Sequence, residues 1–172
     1  MIYGPFHDVA EWSSMRSMGV GWSLGASGSW PSANLALFYP FRVDAAVKIE
    51  KAVVCNGANA GGNADVGIYA VDGTRLESTG STARTGVNVV QGFTLATVLD
   101  IGEYYLALAL DVSSGSVFRW QNLTASAGRV AFWRCTGLRE MASAFPLPAL
   151  ATLAAPSNDY CPQWSLLGRT LV

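Results

Sequence analysis

Charge is scarce in this sequence. Asp, Glu, Lys and Arg make up 13% of its 172 residues, where a soluble domain usually carries about 25%. A monomer of this size needs more polar cover, so part of the surface is expected to lie against other subunits. Lysine is scarcer still: Lys48 and Lys51 stand against nine arginines. Interfaces favour Arg, because the guanidinium is weakly hydrated and its fork bonds two acceptors at once. A GC-rich genome would leave the same bias. The net charge of −1 leaves no electrostatic footprint for nucleic acid.

Other absences exclude chemistry. The single histidine, His7, cannot build a usual zinc site, which takes three or four protein ligands. Cys55, Cys135 and Cys161 are odd in number and widely spaced, which fits neither a disulfide framework nor a Cys-x-x-Cys site. Free buried thiols, made in a reducing cytosol, are expected. No apolar run reaches about 18 residues, so no membrane partner is expected. The opening Met-Ile-Tyr-Gly-Pro-Phe-His-Asp lacks a basic and then apolar leader, so no signal peptide is expected. No phosphate-cradling glycine loop occurs.

Three groupings of reactive residues remain. Gly21-Trp22-Ser23-Leu24-Gly25 has the spacing of a hydrolase nucleophile elbow. It lacks the surrounding strand–helix alternation, and His7 lies upstream of the serine. Asp65, Asp72 and Glu77 flank one hairpin and are of the type that binds calcium. Asp72, however, is already explained as a turn residue. His7-Asp8 with Glu11 reads as a surface or interface cluster. No catalytic residue, cofactor or metal ligand is therefore assigned, and the chain is read as non-enzymatic.

What is present is strand text. Leu35–Val43 reads as a strand whose Pro40 requires an edge or a bulge. Val47–Cys55 alternates, with Val47, Ile49 and Lys51 on one side. Ala64–Val71 and Thr74–Thr79 flank Asp72-Gly73, which predicts a two-residue hairpin turn. Val87–Leu95 is a strand with a bulge expected at Gln91-Gly92. Gly102–Asp111 places Tyr104, Leu106, Leu108 and Leu110 on one face. Ser116–Asn122, Arg129–Thr136 and Trp164–Val172 supply further strands. Leu138–Ala144 is open between a helical turn and an extended stretch. Asn56–Asn63 and Gly80–Gly86 are polar loops. Seven to nine short strands with polar turns imply an all-β chain, an antiparallel β-sandwich of jelly-roll type.

Residues 1–34 have no clear period and are rich in Gly, Ser and Trp. They are expected to form an extended N-terminal arm, with a short helix open at Asp8–Met18, before a sandwich domain at residues 35–172. Tryptophans on such an arm must pack on the main body or on a neighbour. Trp12, Arg16, Trp22, Trp30, Arg119 and Trp120 are the interface candidates.

The order of several motifs resembles a β-sandwich domain of tailed-bacteriophage structural proteins. Those motifs are Phe38-Tyr-Pro-Phe41, Asp65-Val-Gly-Ile-Tyr69, Asp72-Gly-Thr-Arg-Leu76, Ser78-Thr-Gly-Ser-Thr82, Gly102-Glu-Tyr-Tyr-Leu-Ala107 and Phe145-Pro-Leu-Pro148. The resemblance covers residues 35–150 and implies a virion component made in the host bacterial cytoplasm. With the low charge and the Trp-bearing arm, the expected role is a capsid decoration or cement protein. Its expected partners are itself, as a homotrimer, and phage capsid or tail proteins. A receptor- or glycan-binding module of a tail fibre or spike is the alternative, with a host glycan as partner.

Overall fold

The structure, a computed structural model, describes residues 10–13, 25–120, 137–157 and 160–171, with the backbone alone for 10–13, 25 and 120. Among them are twelve strands and no helix. β1 (Ala10–Ser13), β12 (Trp164–Thr170), β4 (Val47–Cys55) and β8 (Val90–Leu99) form sheet 1 in that spatial order. β11 (Arg139–Met141), β3 (Ala36–Val43), β9 (Gly102–Leu110), β5 (Asn63–Ala70) and β6 (Arg75–Ser78) form sheet 2, with β7 (Thr82–Ala83) also on β5. β2 (Gly25–Ser29) and β10 (Ser116–Trp120) make a separate ribbon.

The pairings are nested. β1 pairs β12, β3 pairs β9, β4 pairs β8 and β5 pairs β6, all antiparallel. This is one long hairpin of eight strands. Rolling it up sets β12 beside β4 and β9 beside β5. That wiring is a jelly roll. It follows from strand pairing alone.

Side-chain alternation builds the core between the sheets. On β9, Leu106, Leu108 and Leu110 point inward, with Tyr104 packed against them. They meet Ile49 and Val54 of β4, Phe93 and Leu95 of β8, and Leu166 of β12. The other face of β9 is also covered. Tyr105, Ala107 and Ala109 lie under a strap around residues 144–153, which supplies Ala144, Leu147 and Ala151. Sheet 2 is thus packed on both faces.

Local details differ from the sequence reading. On β4, Glu50 and Lys51 are both exposed, and the inward set is Val47, Ile49, Ala52 and Val54. The ladders to β8 and β12 both shift register there, so Lys51 does not share the face of Ile49. The irregularity expected at Gln91-Gly92 is absent, because both residues pair regularly with Val54 and Val53. The hairpin loop has three residues, not two. Gly73 N–H donates to Ala70 O at 3.0 Å, and Ala70 N–H to Thr74 O at 2.9 Å. Gly73 adopts φ +89° there, a left-handed conformation that glycine tolerates best. Pro40 lies beyond the stretch Ala36–Phe38 that β11 covers, so its missing N–H breaks no ladder on that side.

The expected arm is corrected over its described parts. Ala10–Ser13 is a strand on β12 rather than helix, and Gly25–Ser29 pairs with β10. Both belong to sheets, because each meets a strand edge that would otherwise be open. Cys161 is disulfide-bonded, which corrects the free-thiol reading at that position, whereas Cys55 is free and buried. The strand expected at Arg129–Thr136 lies outside the described residues.

Candidate functional site

The polar loops singled out from sequence meet at one end of the sandwich. Arg84, 7% exposed, binds them together. Its Nε and Nη2 donate to Asn56 Oδ1 at 3.2 and 3.1 Å. Nη1 donates to the carbonyls of Asn59 and Gly61 at 3.4 and 3.3 Å, and Nη2 also donates to Ser116 O. Asn56 Nδ2 in turn donates to Thr85 O and Gln91 Oε1 at 2.9 and 2.8 Å. Burial pulls the Arg84 pKa below its ordinary value, opposed by the nearby Tyr160 and Asp111. Among the described residues, loop and strand-end acceptors rather than a salt bridge satisfy this guanidinium.

A second polar centre lies on the outer side of sheet 2. The fully buried Asp65 accepts hydrogen bonds from Ser78 Oγ at 2.7 Å and, more weakly, from Thr79 Oγ1 at 3.4 Å. Leu147 N–H donates to its other oxygen at 2.9 Å. Tyr69 Oη donates to Pro148 O at 2.6 Å, and Arg75 Nη1 to Leu147 O. These bonds tie the strap to β5 and β6. An open cleft of roughly 440 Å³ beside it is lined by Asp65, Arg75, Glu77 and Ser78. Asp72 instead accepts from Thr74 N–H in its own turn at 2.9 Å. The three carboxylates weighed for calcium are thus not gathered, and no group of three His, Cys, Asp or Glu is placed to hold a metal among the described residues.

A third feature is aromatic. Phe41 and Tyr104 pack as a tilted pair with centroids 5.8 Å apart. With Tyr105, Arg42 and Glu103 they line an open cleft of roughly 430 Å³. The Tyr-Tyr pair splits as its strand position requires, with Tyr104 toward the inter-sheet core and Tyr105 toward the strap.

The fourth feature is the edge strand β8, which pairs only with β4 among the described strands. Nine large apolar side chains are exposed among the described residues, and five lie on or beside this strand: Val87, Val89, Val90, Val98 and Ile101. Sequence reasoning missed this grouping. The signal was there in the charge-free text of residues 87–99.

The six interface candidates separate. Trp30 is 2% exposed and belongs to this chain's own core. Its Nε1 donates to Leu35 O at 2.9 Å, and its ring meets Tyr160 edge-on at 5.3 Å. That corrects its reading as an interface anchor. Arg119 lies over the Tyr160 ring, 5.0 Å from its centroid. Trp12 lies in β1 and Trp120 ends β10. Arg16 and Trp22 fall outside the described residues, as do Ser23 and His7.

No family profile and no curated protein matches the chain. Three solved virus-particle structures match it, at low TM-scores. Infectious bursal virus-derived T=1 particles match at TM-score 0.37 and 8% identity, over 94% of this chain and 35% of that one. The infectious bursal disease virus VP2 subviral particle matches at TM-score 0.38 and 11% identity, over 95% and 41%. This chain therefore spans about two-fifths or less of their length. A likeness this distant assigns neither ancestry nor role.

Proposed function

We propose that this chain is a non-enzymatic structural component of a virion, a capsid decoration or cement protein that associates with itself and with the shell. One observation carries the reading. The motifs that resemble tailed-phage structural proteins are scattered over residues 38–148, yet they meet in a single unit. Phe38 of β3 packs edge-on against Tyr69 of β5 at 5.1 Å. Asp65 and Arg75 bond the Phe145–Pro148 segment, and Gly102–Ala107 lies on β9 between β3 and β5. The resemblance thus concerns one packed sheet and its strap rather than isolated turns. The low charge and the apolar edge of β8 suit a protein that works against neighbours.

Burial of this surface at subunit junctions would stabilise an assembled shell by mass action. Quantitative mass spectrometry of purified particles tests the role. A copy number near that of the shell protein, or a simple fraction of it, is expected. Absence from particles overturns the reading.

The aromatic cleft of Phe41, Tyr104 and Tyr105 favours a second reading, a glycan-binding module of a tail fibre. Aromatic faces flanked by the charged groups of Arg42 and Glu103 suit a sugar's apolar face and hydroxyls. A handful of copies per particle, with sugar binding lost in Tyr105→Ala, would support it.

A further inference from the structure

We infer that β8 is a self-pairing edge, on which a second copy of this chain docks antiparallel about a two-fold axis at Thr94. This deepens the self-association proposed above by naming its surface and register. The sequence Val90-Gln-Gly-Phe-Thr94-Leu-Ala-Thr-Val98 runs nearly alike in both directions by side-chain class. Paired with its own copy about Thr94, Val90 meets Val98, Gln91 meets Thr97, Gly92 meets Ala96 and Phe93 meets Leu95. Every pair joins similar chemistry, and no charge faces a like charge.

The edge is open to such pairing. Natural edges are blunted with charges, Pro or bulges, and β8 carries no charge and no Pro. The nearby β6 makes no ladder with it. Its one register shift, against β4, puts an extra residue in β8 between Thr94 and Thr97, yet the alternation survives: Phe93, Leu95 and Leu99 are buried, while Thr94, Ala96 and Val98 are exposed.

The register also keeps the faces matched. Residues of the same parity oppose one another, so outward Val90, Gly92, Thr94, Ala96 and Val98 of both copies form one continuous outer surface. The two cores stay on the same side of the joined sheet. The start of one β8 lies beside the end of the other. The exposed Val87 of one copy and the exposed Ile101 of the other thus come to the same end of the ribbon, at both ends. A second copy suits this edge because a self-matching strand is the feature a two-fold contact requires.

Light scattering and sedimentation of the full chain test the inference. Wild-type protein is expected at twice the 18.2 kDa chain mass or a higher even multiple. Thr94→Lys and Thr94→Glu each place like charges opposite themselves, and each is expected to weaken pairing by about 100-fold. Mixing the two variants is expected to restore the pair, because position 94 meets only its own copy. If either charged variant fails to fold, Thr94→Cys replaces it. Opposed Cα atoms about 4.5–5.5 Å apart permit a disulfide, and a cross-linked dimer is expected on oxidation. A monomeric wild type, a trimer, pairing untouched by folded Thr94→Lys, a mixture that stays monomeric, or no Thr94→Cys cross-link would each overturn the inference. Particle copy number is measured separately, so failure here is distinguishable from failure of the virion reading.

Discussion

Leu147 N–H donates to the Asp65 carboxylate at 2.9 Å across 82 residues of chain. That bond joins the strap to the middle of sheet 2, where the buried carboxylate accepts from three donors in all. Asp65→Asn swaps one acceptor oxygen for a donor, so that if Leu147 N–H keeps its oxygen the hydroxyls must turn from donating to accepting. A loss of about 1–3 kcal/mol in urea unfolding is expected. Asp65→Ala is expected to cost at least as much. Wild-type stability in both variants would show that the strap is held by packing alone.

Arg84 should be harder to replace than its lack of a carboxylate partner suggests. Its fork meets four acceptors on two segments, the Asn56–Asn63 loop and the start of β10. Arg84→Lys keeps the charge but cannot span them. About 2–4 kcal/mol of stability is expected to go, with hydrogen exchange rising first in residues 56–63 and 80–89. An unchanged exchange pattern would count against the clasp.

Trp30→Ala separates a core role from an interface role. The core position calls for a loss of about 3–5 kcal/mol in the isolated chain. An interface anchor would instead leave the isolated chain stable and weaken only its assembly. Denaturant unfolding at low protein concentration reads the difference.

Alkaline pH should expose the buried tyrosines. Burial raises the pKa of Tyr39, Tyr69 and Tyr160 above the ordinary value of 10.0. The folded form therefore holds these protons more tightly than the unfolded chain. Stability from them is complete below pH 10.0 and falls as pH rises through that value toward the folded pKa. Ultraviolet titration should show these three phenols ionising together with unfolding. Their smooth ionisation in a folded protein would refute the burial.

Much of this fold is legible in sequence because strands write their period locally. Tyr104, Leu106, Leu108 and Leu110 alternate, and their face does go to the core. Asp72-Gly73 marks its turn because few residues other than glycine accept φ +89°. The phase break at Glu50-Lys51 was not legible, because it arises where β4 fits two neighbours whose spacing differs. The strap was hidden for a related reason. Ala144 and Leu147 are apolar without a period, and only the outer face of sheet 2 explains their burial.

The candidate surfaces divide in the same way. Charge scarcity and the self-matching run from Val90 to Val98 are properties of the chain text, determined before any folding. Tertiary structure decided that this run sits at a sheet edge, that Trp30 turns inward and that Arg84 draws two loops together. The reason is physical. Alternation depends on backbone geometry within a few residues, whereas an edge, a buried ring and a clasp depend on which distant strands arrive beside them.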